Sequence, residues 1–233
     1  MSRETVIFII PTYNEESVIR KNVISWIPVI KSIPGSMMLI VNDGSTDNTD
    51  NSLNKLQKEF KFLKVINKKN EGHGRTIRLG YEHATKSKYT WIFQTDSDGH
   101  FTPSDFYKLW DMRNTSPFIL GHREKRADTF FRRALTKIIK GWVFILFRTV
   151  IYDPNIPFRL MKVSYLKKIL PKVKSGVFAP NIHLSILAAR DKHNLHHIPV
   201  EHKNLNKKHN NINIFKGAFQ GFFELLFFAF EIA

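Results

Sequence analysis

No cysteine occurs among the 233 residues. Disulfides, thiolate metal sites and cysteine nucleophiles are therefore excluded, and a reducing compartment fits. Long unbroken apolar runs are missing too. The stretch 212–233 carries seven phenylalanines, but Lys216, Gln220, Glu224 and Glu231 interrupt it. That argues against a spanning segment, which needs about 20 mostly apolar residues. The start, Met1-Ser2-Arg3-Glu4, leads into a short apolar run halted at Pro11 and does not read as a secretory leader. Acidic residues are scarce in the second half. Residues 121–233 hold 20 Lys and Arg against 7 Asp and Glu, whereas residues 1–120 hold 16 against 13, so the net charge of +16 lies mainly C-terminally. A basic half implies an anionic partner: a membrane surface, a phosphorylated substrate or nucleic acid. The motifs lie in the nearly neutral half and no nucleic-acid signature occurs, so nucleic acid is not expected.

What is present is an alternation of strand and helix patterns. Thr5–Ile10 reads as a buried strand stopped by Pro11, Met37–Val41 as a second, Phe62–Ile66 as a third and Tyr89–Phe93 as a fourth. Phe118–Gly121 reads as another. Helical spacing of apolar residues marks 15–31, 49–60 and 74–86. Such alternation predicts an α/β fold: one domain with a mostly parallel central sheet and helices on both faces.

Chemistry-bearing residues gather where these strands end. Thr95-Asp96-Ser97-Asp98-Gly99-His100 follows the fourth strand. Alternate residues of an extended chain point the same way, so Asp96 and Asp98 can converge on one cation. Mg²⁺ typically takes one or two protein carboxylates plus phosphate oxygens, so the spacing suggests a metal-bound phosphate ester. Pro11-Thr12-Tyr13-Asn14-Glu15, Asn42-Asp43-Gly44-Ser45 and Gly72-His73-Gly74 follow the first three strands in order. Each alone reads as an ordinary turn, but their succession is hard to obtain by chance.

Together these motifs make residues 5–105 resemble family 2 glycosyltransferases of the GT-A, Rossmann-like fold. The resemblance implies that Pro11, Tyr13 and Glu15 line a nucleoside pocket, with Gly74 at the nucleotide sugar, and that Asp43 bonds the base. It implies that Asp96 and Asp98 bind Mg²⁺ or Mn²⁺. His100 stands where the family often has Gln as a further metal contact. Asn42 occupies a position that is often Asp. The donor implied is a UDP- or GDP-sugar.

The second half narrows the resemblance. Gly121-His122-Arg123, Arg132-Arg133 and Asp153 ahead of Phe158-Arg159-Leu160 are similar to dolichyl-phosphate mannose synthases and other polyprenyl-phosphate glycosyltransferases. This implies roles for Arg123 and Arg133 at the acceptor phosphate, and for Asp98, Arg123 and Arg159 in catalysis, in an inverting transfer to a polyprenyl phosphate at the cytoplasmic face of a membrane. An alternative acceptor is a hydroxyl of a glycan or glycolipid. Residues 130–151 fit a helix on which Arg133, Thr136, Lys137, Lys140 and Arg148 fall within about 120° of one another. No acid occurs from Thr129 to Tyr152, a pattern that suits a membrane surface. The expected organisation is a glycosyltransferase domain over 1–205, with a nucleotide-sugar half 1–105 and an acceptor half 106–205. A basic loop and an apolar helix follow over 206–233.

Enzymes that glycosylate a hydroxyl usually present an acidic base near Phe178–His183. Asn181 stands there instead, which favours an acceptor already ionised, such as a phosphate. His183 as base and Asn181 as a helix cap are the competing readings. His193, His196, His197, His202 and His209 lack zinc-site spacing and read as a solvated or phosphate-facing cluster.

Overall fold

Seven strands form one mixed sheet in the order β3-β2-β1-β4-β6-β5-β7. They are β1 (Val6–Thr12), β2 (Met37–Asn42), β3 (Leu63–Asn67), β4 (Trp91–Thr95), β5 (Phe118–Arg123), β6 (Phe158–Lys162) and β7 (His196–Val200). The helices are α1 (Ile19–Ser32), α2 (Thr49–Glu59), α3 (His73–Thr85), α4 (Asp105–Asp111), α5 (Phe130–Phe147), α6 (Val163–Ile169), α7 (Pro180–Arg190) and α8 (Ile214–Ile232). The computed structural model describes residues 4–123, 130–191, 194–203 and 214–232, without the side chains of 130–136 and 214–220. The basic loop expected after residue 205, His193 and His209 lie outside the described residues.

The expected mostly parallel sheet is present. β1 pairs in parallel with β2 and β4, and β2 with β3, while β6 runs antiparallel to both β4 and β5. The first strand departs from expectation by running through Pro11, which is paired in register with Val41. Pairing with β4 ends at Ile9–Gln94. The missing N–H of Pro11 therefore faces past the end of that ladder, where proline removes no bond. Every residue of β1 is buried, as a central strand covered on both faces requires. Its Phe8 interlocks with Trp26, Phe93 and Phe106, and Phe158 with Trp26 and Phe93, Phe93 meeting Phe158 edge-on at 4.8 Å.

α5 ends at Phe147 rather than near 151, because Arg148 adopts a left-handed φ of 53°. Asp153 also precedes a proline and is biased away from helix. α8 packs along α5, Trp142 against Phe222 and Phe147 against Phe228. Two of its polar residues are anchors: the Glu224 carboxylate accepts from the Phe178 N–H at 2.9 Å, and Glu231 pairs with Lys174. Phe144 and Ile145 of α5 and Phe227 and Phe230 of α8 remain 58–77% exposed. No helix among the described residues is long and apolar enough to cross a membrane.

Candidate active site

Thr12, Asn42, Asn67 and Thr95 end parallel strands at one edge of the sheet, so the four loop motifs converge there. They enclose a cleft of about 430 Å³ lined by Pro11, Thr12, Tyr13, Glu15, Asp43 and Asp96, and by Asp98 and the α3 entry, Gly72-His73. Ligands of open α/β sheets bind at such carboxyl ends.

Local hydrogen bonding explains the loops' shape. Asn14 takes a left-handed φ of 52°, and its Oδ1 accepts from the Thr46 N–H at 2.8 Å, tying the first motif to the second. This leaves Tyr13 44% exposed at the cleft wall, where an aromatic face can receive a base. Asn42 Oδ1 accepts from Ser45, while its Nδ2 donates to Asn67 Oδ1 at 3.0 Å. An ionised Asp could not make the second bond, which accounts physically for the amide. Gly44 has φ +66°, and a Cβ there would lie 2.7 Å from the Asn70 N.

Asp43 is 4% exposed. Its Oδ1 accepts from Lys68 Nζ at 2.5 Å and the Glu71 N–H at 3.0 Å, and its Oδ2 from the Gly72 N–H at 3.0 Å. Burial works to raise this carboxyl, but the Lys68 ammonium and the hydrogen bonds outweigh it and hold it below the ordinary carboxylate range. Asp43 thus anchors the 68–72 loop and also lines the cleft.

Asp96 behaves oppositely. Its Oδ1 is buried without a hydrogen-bond partner. Burial first, and then the Asp98 charge, push its carboxyl well above the usual range. A carboxyl with one oxygen lacking a hydrogen bond, with only the His73 imidazole at 4.0 Å and a second acid beside it, is a site that a divalent cation would neutralise. His100 adds to the fit. Its Nδ1 lies 2.7 Å from the Lys203 carbonyl, to which it donates, and Nε2, 3.6 Å from Asp98 Oδ2, is the nitrogen turned toward the acid pair. Among the described residues no cluster of three or more His, Asp or Glu ligands stands ready for a metal. The donor set therefore suits an ion that completes its shell with diphosphate oxygens and water.

Some expected site residues lie elsewhere. Arg159 does not reach the cleft. It is fully buried, and its guanidinium donates to the carbonyls of Ile156, Pro154 and Asn181 and to Ser185 Oγ. Gly74 does not line the cleft either. It permits close packing instead: a Cβ there would meet the Phe178 carbonyl oxygen at 2.3 Å. Gly74→Ala is expected to cost on the order of 1–3 kcal/mol, because the obstacle is backbone. Thermal unfolding checks this, and an unchanged midpoint would refute the packing role. Arg123 sits 3.6 Å from Asp153 Oδ2 and over the Phe101 ring, outside the cleft lining. The Arg133 side chain lies outside the described residues.

Asn181 is neither a base nor a cap. It lies inside the first turn of α7, is 2% exposed, and makes no side-chain cap bond. Its Oδ1 lies 2.8 Å from the Tyr81 hydroxyl and its Nδ2 donates to Gln94 Oε1. His183 faces away from the cleft, with its ring 4.5 Å from that of Phe228. The histidine cluster also divides. His196 meets Thr115, and His202 stacks on His100 at 5.0 Å. His197 packs on Tyr152, with its pKa pushed down to about 4 by burial and by the neighbouring His122, His196 and Lys140.

Lys68, Asn70 and Thr76 were not singled out in the sequence, and His73 only as the middle of Gly72-His73-Gly74, yet Lys68 clamps Asp43 and the others line the cleft. The signal available was their position just past the third strand.

Residues 7–172 match the profile of Glycosyl transferase family 2. The chain belongs to that family. This family 2 glycosyltransferase is 28% identical over 219 residues to a dolichyl-phosphate beta-glucosyltransferase of Saccharomyces cerevisiae, covering 82% of the chain and 65% of that protein. It is 25% identical to a UDP-N-acetylglucosamine–dolichyl-phosphate N-acetylglucosaminyltransferase of Methanococcus voltae, covering 86% of each. The chain thus spans just under two thirds of the yeast relative and most of the archaeal one. Among solved structures, glucosyl-3-phosphoglycerate synthase of Mycobacterium tuberculosis in complex with UDP superposes with a TM-score of 0.74 at 13% identity, covering 97% of this chain and 80% of that one. The same enzyme in complex with Mn²⁺ and UDP-glucose gives 0.69 at 12% identity. That likeness establishes the GT-A fold.

Proposed function

We propose that this family 2 glycosyltransferase moves a sugar from a nucleoside diphosphate, with Mg²⁺ or Mn²⁺, to a polyprenyl phosphate at the cytoplasmic face of a membrane. The observation that carries the donor half is the cleft itself, whose lining brings together the Tyr13 ring, Asp43 and the two acids Asp96 and Asp98. Tyr13 and Asp43 bind the nucleoside. Asp96 and Asp98, with His100 alongside, hold the cation, which when bound supplies charge neutralisation to the departing diphosphate. An acceptor oxygen displaces the diphosphate at the anomeric carbon with inversion, and the enzyme contributes alignment and charge stabilisation.

The acceptor half rests on three supports. Relatives over most of the chain are named for dolichyl phosphate. The position expected of a base is filled by the buried, hydrogen-bonded Asn181, and an ionised phosphate needs no proton removed. Apolar side chains of α5 and α8 are exposed beside the exposed Lys137 and Arg148, a surface suited to anionic lipid. Arg123 contacts the acceptor phosphate, with Asp153 orienting its guanidinium, and Arg133 adds a second contact.

The test is transfer from labelled UDP- and GDP-sugars, with Mn²⁺, to vesicles carrying polyprenyl phosphate. An acid-labile lipid phosphosugar is expected. Label appearing only in glycan or glycolipid hydroxyl acceptors would overturn the acceptor assignment. Arg123→Gln is expected to raise the acceptor KM about tenfold or more, the size of one charge-assisted hydrogen bond, and to leave the donor KM unchanged. A change confined to the donor would contradict its role.

A further inference from the structure

The apolar face of α1 contains one residue whose chemistry the fold alone does not explain. Asn22 lies among Ile19, Val23 and Trp26 on the buried face and is 5% exposed. Burying an amide there is unfavourable unless its polar atoms are paired. One of them is: Nδ2 donates to the Ser97 carbonyl at 2.9 Å. The other is not, since Oδ1 is buried without a partner. A leucine would satisfy the packing pattern with no orphaned oxygen, so the bond to Ser97 is what the amide provides.

Ser97 is the middle residue of Asp96-Ser97-Asp98. Fixing its carbonyl fixes the Ser97–Asp98 peptide plane, and with it the backbone from which the Asp98 side chain departs. At the start of the loop Asp96 Oδ1 lies 4.0 Å from His73 Nε2, and further ties lie downstream. Asp98 Oδ1 accepts from the His100 N–H at 3.1 Å, and the His100 carbonyl accepts from the Lys203 N–H at 2.8 Å. Asn22 supplies the restraint at the centre.

The geometry points to Asn22 as a positioning residue that holds the Asp96–Asp98 loop in its cation-binding shape from beneath, through the Ser97 carbonyl. This rests on the reading of that pair as the cation site.

The experiment uses the full chain with Asn22→Leu, and Asn22→Ala should the leucine overpack. Mn²⁺ is titrated in the presence of UDP and followed by its electron paramagnetic resonance signal. Binding of UDP in EDTA and metal-free melting are measured alongside. The Mn²⁺ dissociation constant is expected to rise about tenfold, the size of one buried hydrogen bond. UDP binding without metal is expected to stay as in the parent, and the leucine variant to melt no lower, since the orphaned oxygen is gone. A folded variant that binds Mn²⁺ like the parent overturns the role of Asn22. Loss of melting temperature with unchanged Mn²⁺ affinity likewise reduces it to packing. A parent protein that binds no Mn²⁺ with UDP overturns the cation site itself, and Asn22 with it.

Discussion

Asp98→Asn is expected to lower turnover about a thousandfold or more, because a charge-neutralising ion contributes several kcal/mol to such a reaction and each 1.4 kcal/mol is tenfold. The substitution is nearly isosteric. An Asn Oδ1 can still accept from the His100 N–H, as Asp98 Oδ1 does at 3.1 Å, so the loop keeps its turn and loses only charge. Stability should move the other way. Burial and Asp98 raise the Asp96 carboxyl, so the folded chain binds a proton that the unfolded chain has already released. Between the ordinary carboxylate pKa, about 3.9, and the raised value, metal-free stability falls as pH rises. Removing the Asp98 charge relieves part of that penalty at neutral pH. The metal-free variant is therefore expected to melt at or above the parent temperature, while the rise on adding Mn²⁺ and UDP disappears. Kinetics and thermal unfolding on one preparation check both halves. Retained turnover, or a variant that still gains stability from Mn²⁺, would remove Asp98 from the site.

Arg159→Ala has the largest expected effect on folding. The guanidinium donates to Ile156 O at 2.6 Å and Asn181 O at 3.1 Å, and to Pro154 O and Ser185 Oγ, with no exposed surface. These bonds connect the 153–158 segment to the first turn of α7 beneath the cleft. Truncation strips the Ile156 carbonyl of its donor, leaves Pro154 O and Asn181 O to the Ser185 hydroxyl, and opens a cavity, which together cost about 3–5 kcal/mol. For a chain of this size that is a fall of roughly 6–20 °C in the melting midpoint. Arg159→Lys is not expected to rescue it, since an ammonium lacks the planar fork that spans several carbonyls. The contrary result, normal melting with a raised KM for one substrate, would return Arg159 to the role its sequence context suggested.

That residue shows where sequence reading stops. The donor side was legible because its chemistry is local: each motif follows an apolar run directly, and strand alternation orders the runs along one sheet edge. Asp43, Tyr13, Asp96 and Asp98 were found that way, and they share one cleft. An arginine near the C-terminal half's other basic residues looks the same in sequence whether it meets a phosphate or a ring of carbonyls. The difference lies in β6 running antiparallel between β4 and β5, which carries Arg159 into the interior. Asn22 was overlooked for a related reason: a helical stripe is read by its apolar members, and the polar exception is significant only once Ser97 is seen above it. Lys68 likewise becomes a partner of Asp43 through the parallel pairing of β2 with β3. The end of α5 was misjudged because apolar spacing continued to Ile151 while the backbone had already turned at Arg148.

The central claim is that Asp96 and Asp98 together hold a cation that grips a nucleoside diphosphate. Anomalous diffraction from crystals of the full chain grown with Mn²⁺ and UDP tests it most directly. A manganese peak within bonding distance of carboxylate oxygens from that pair and of a diphosphate oxygen is the expected result. UDP seated in the cleft with no peak between the two aspartates, or manganese bound elsewhere on the chain, would contradict it.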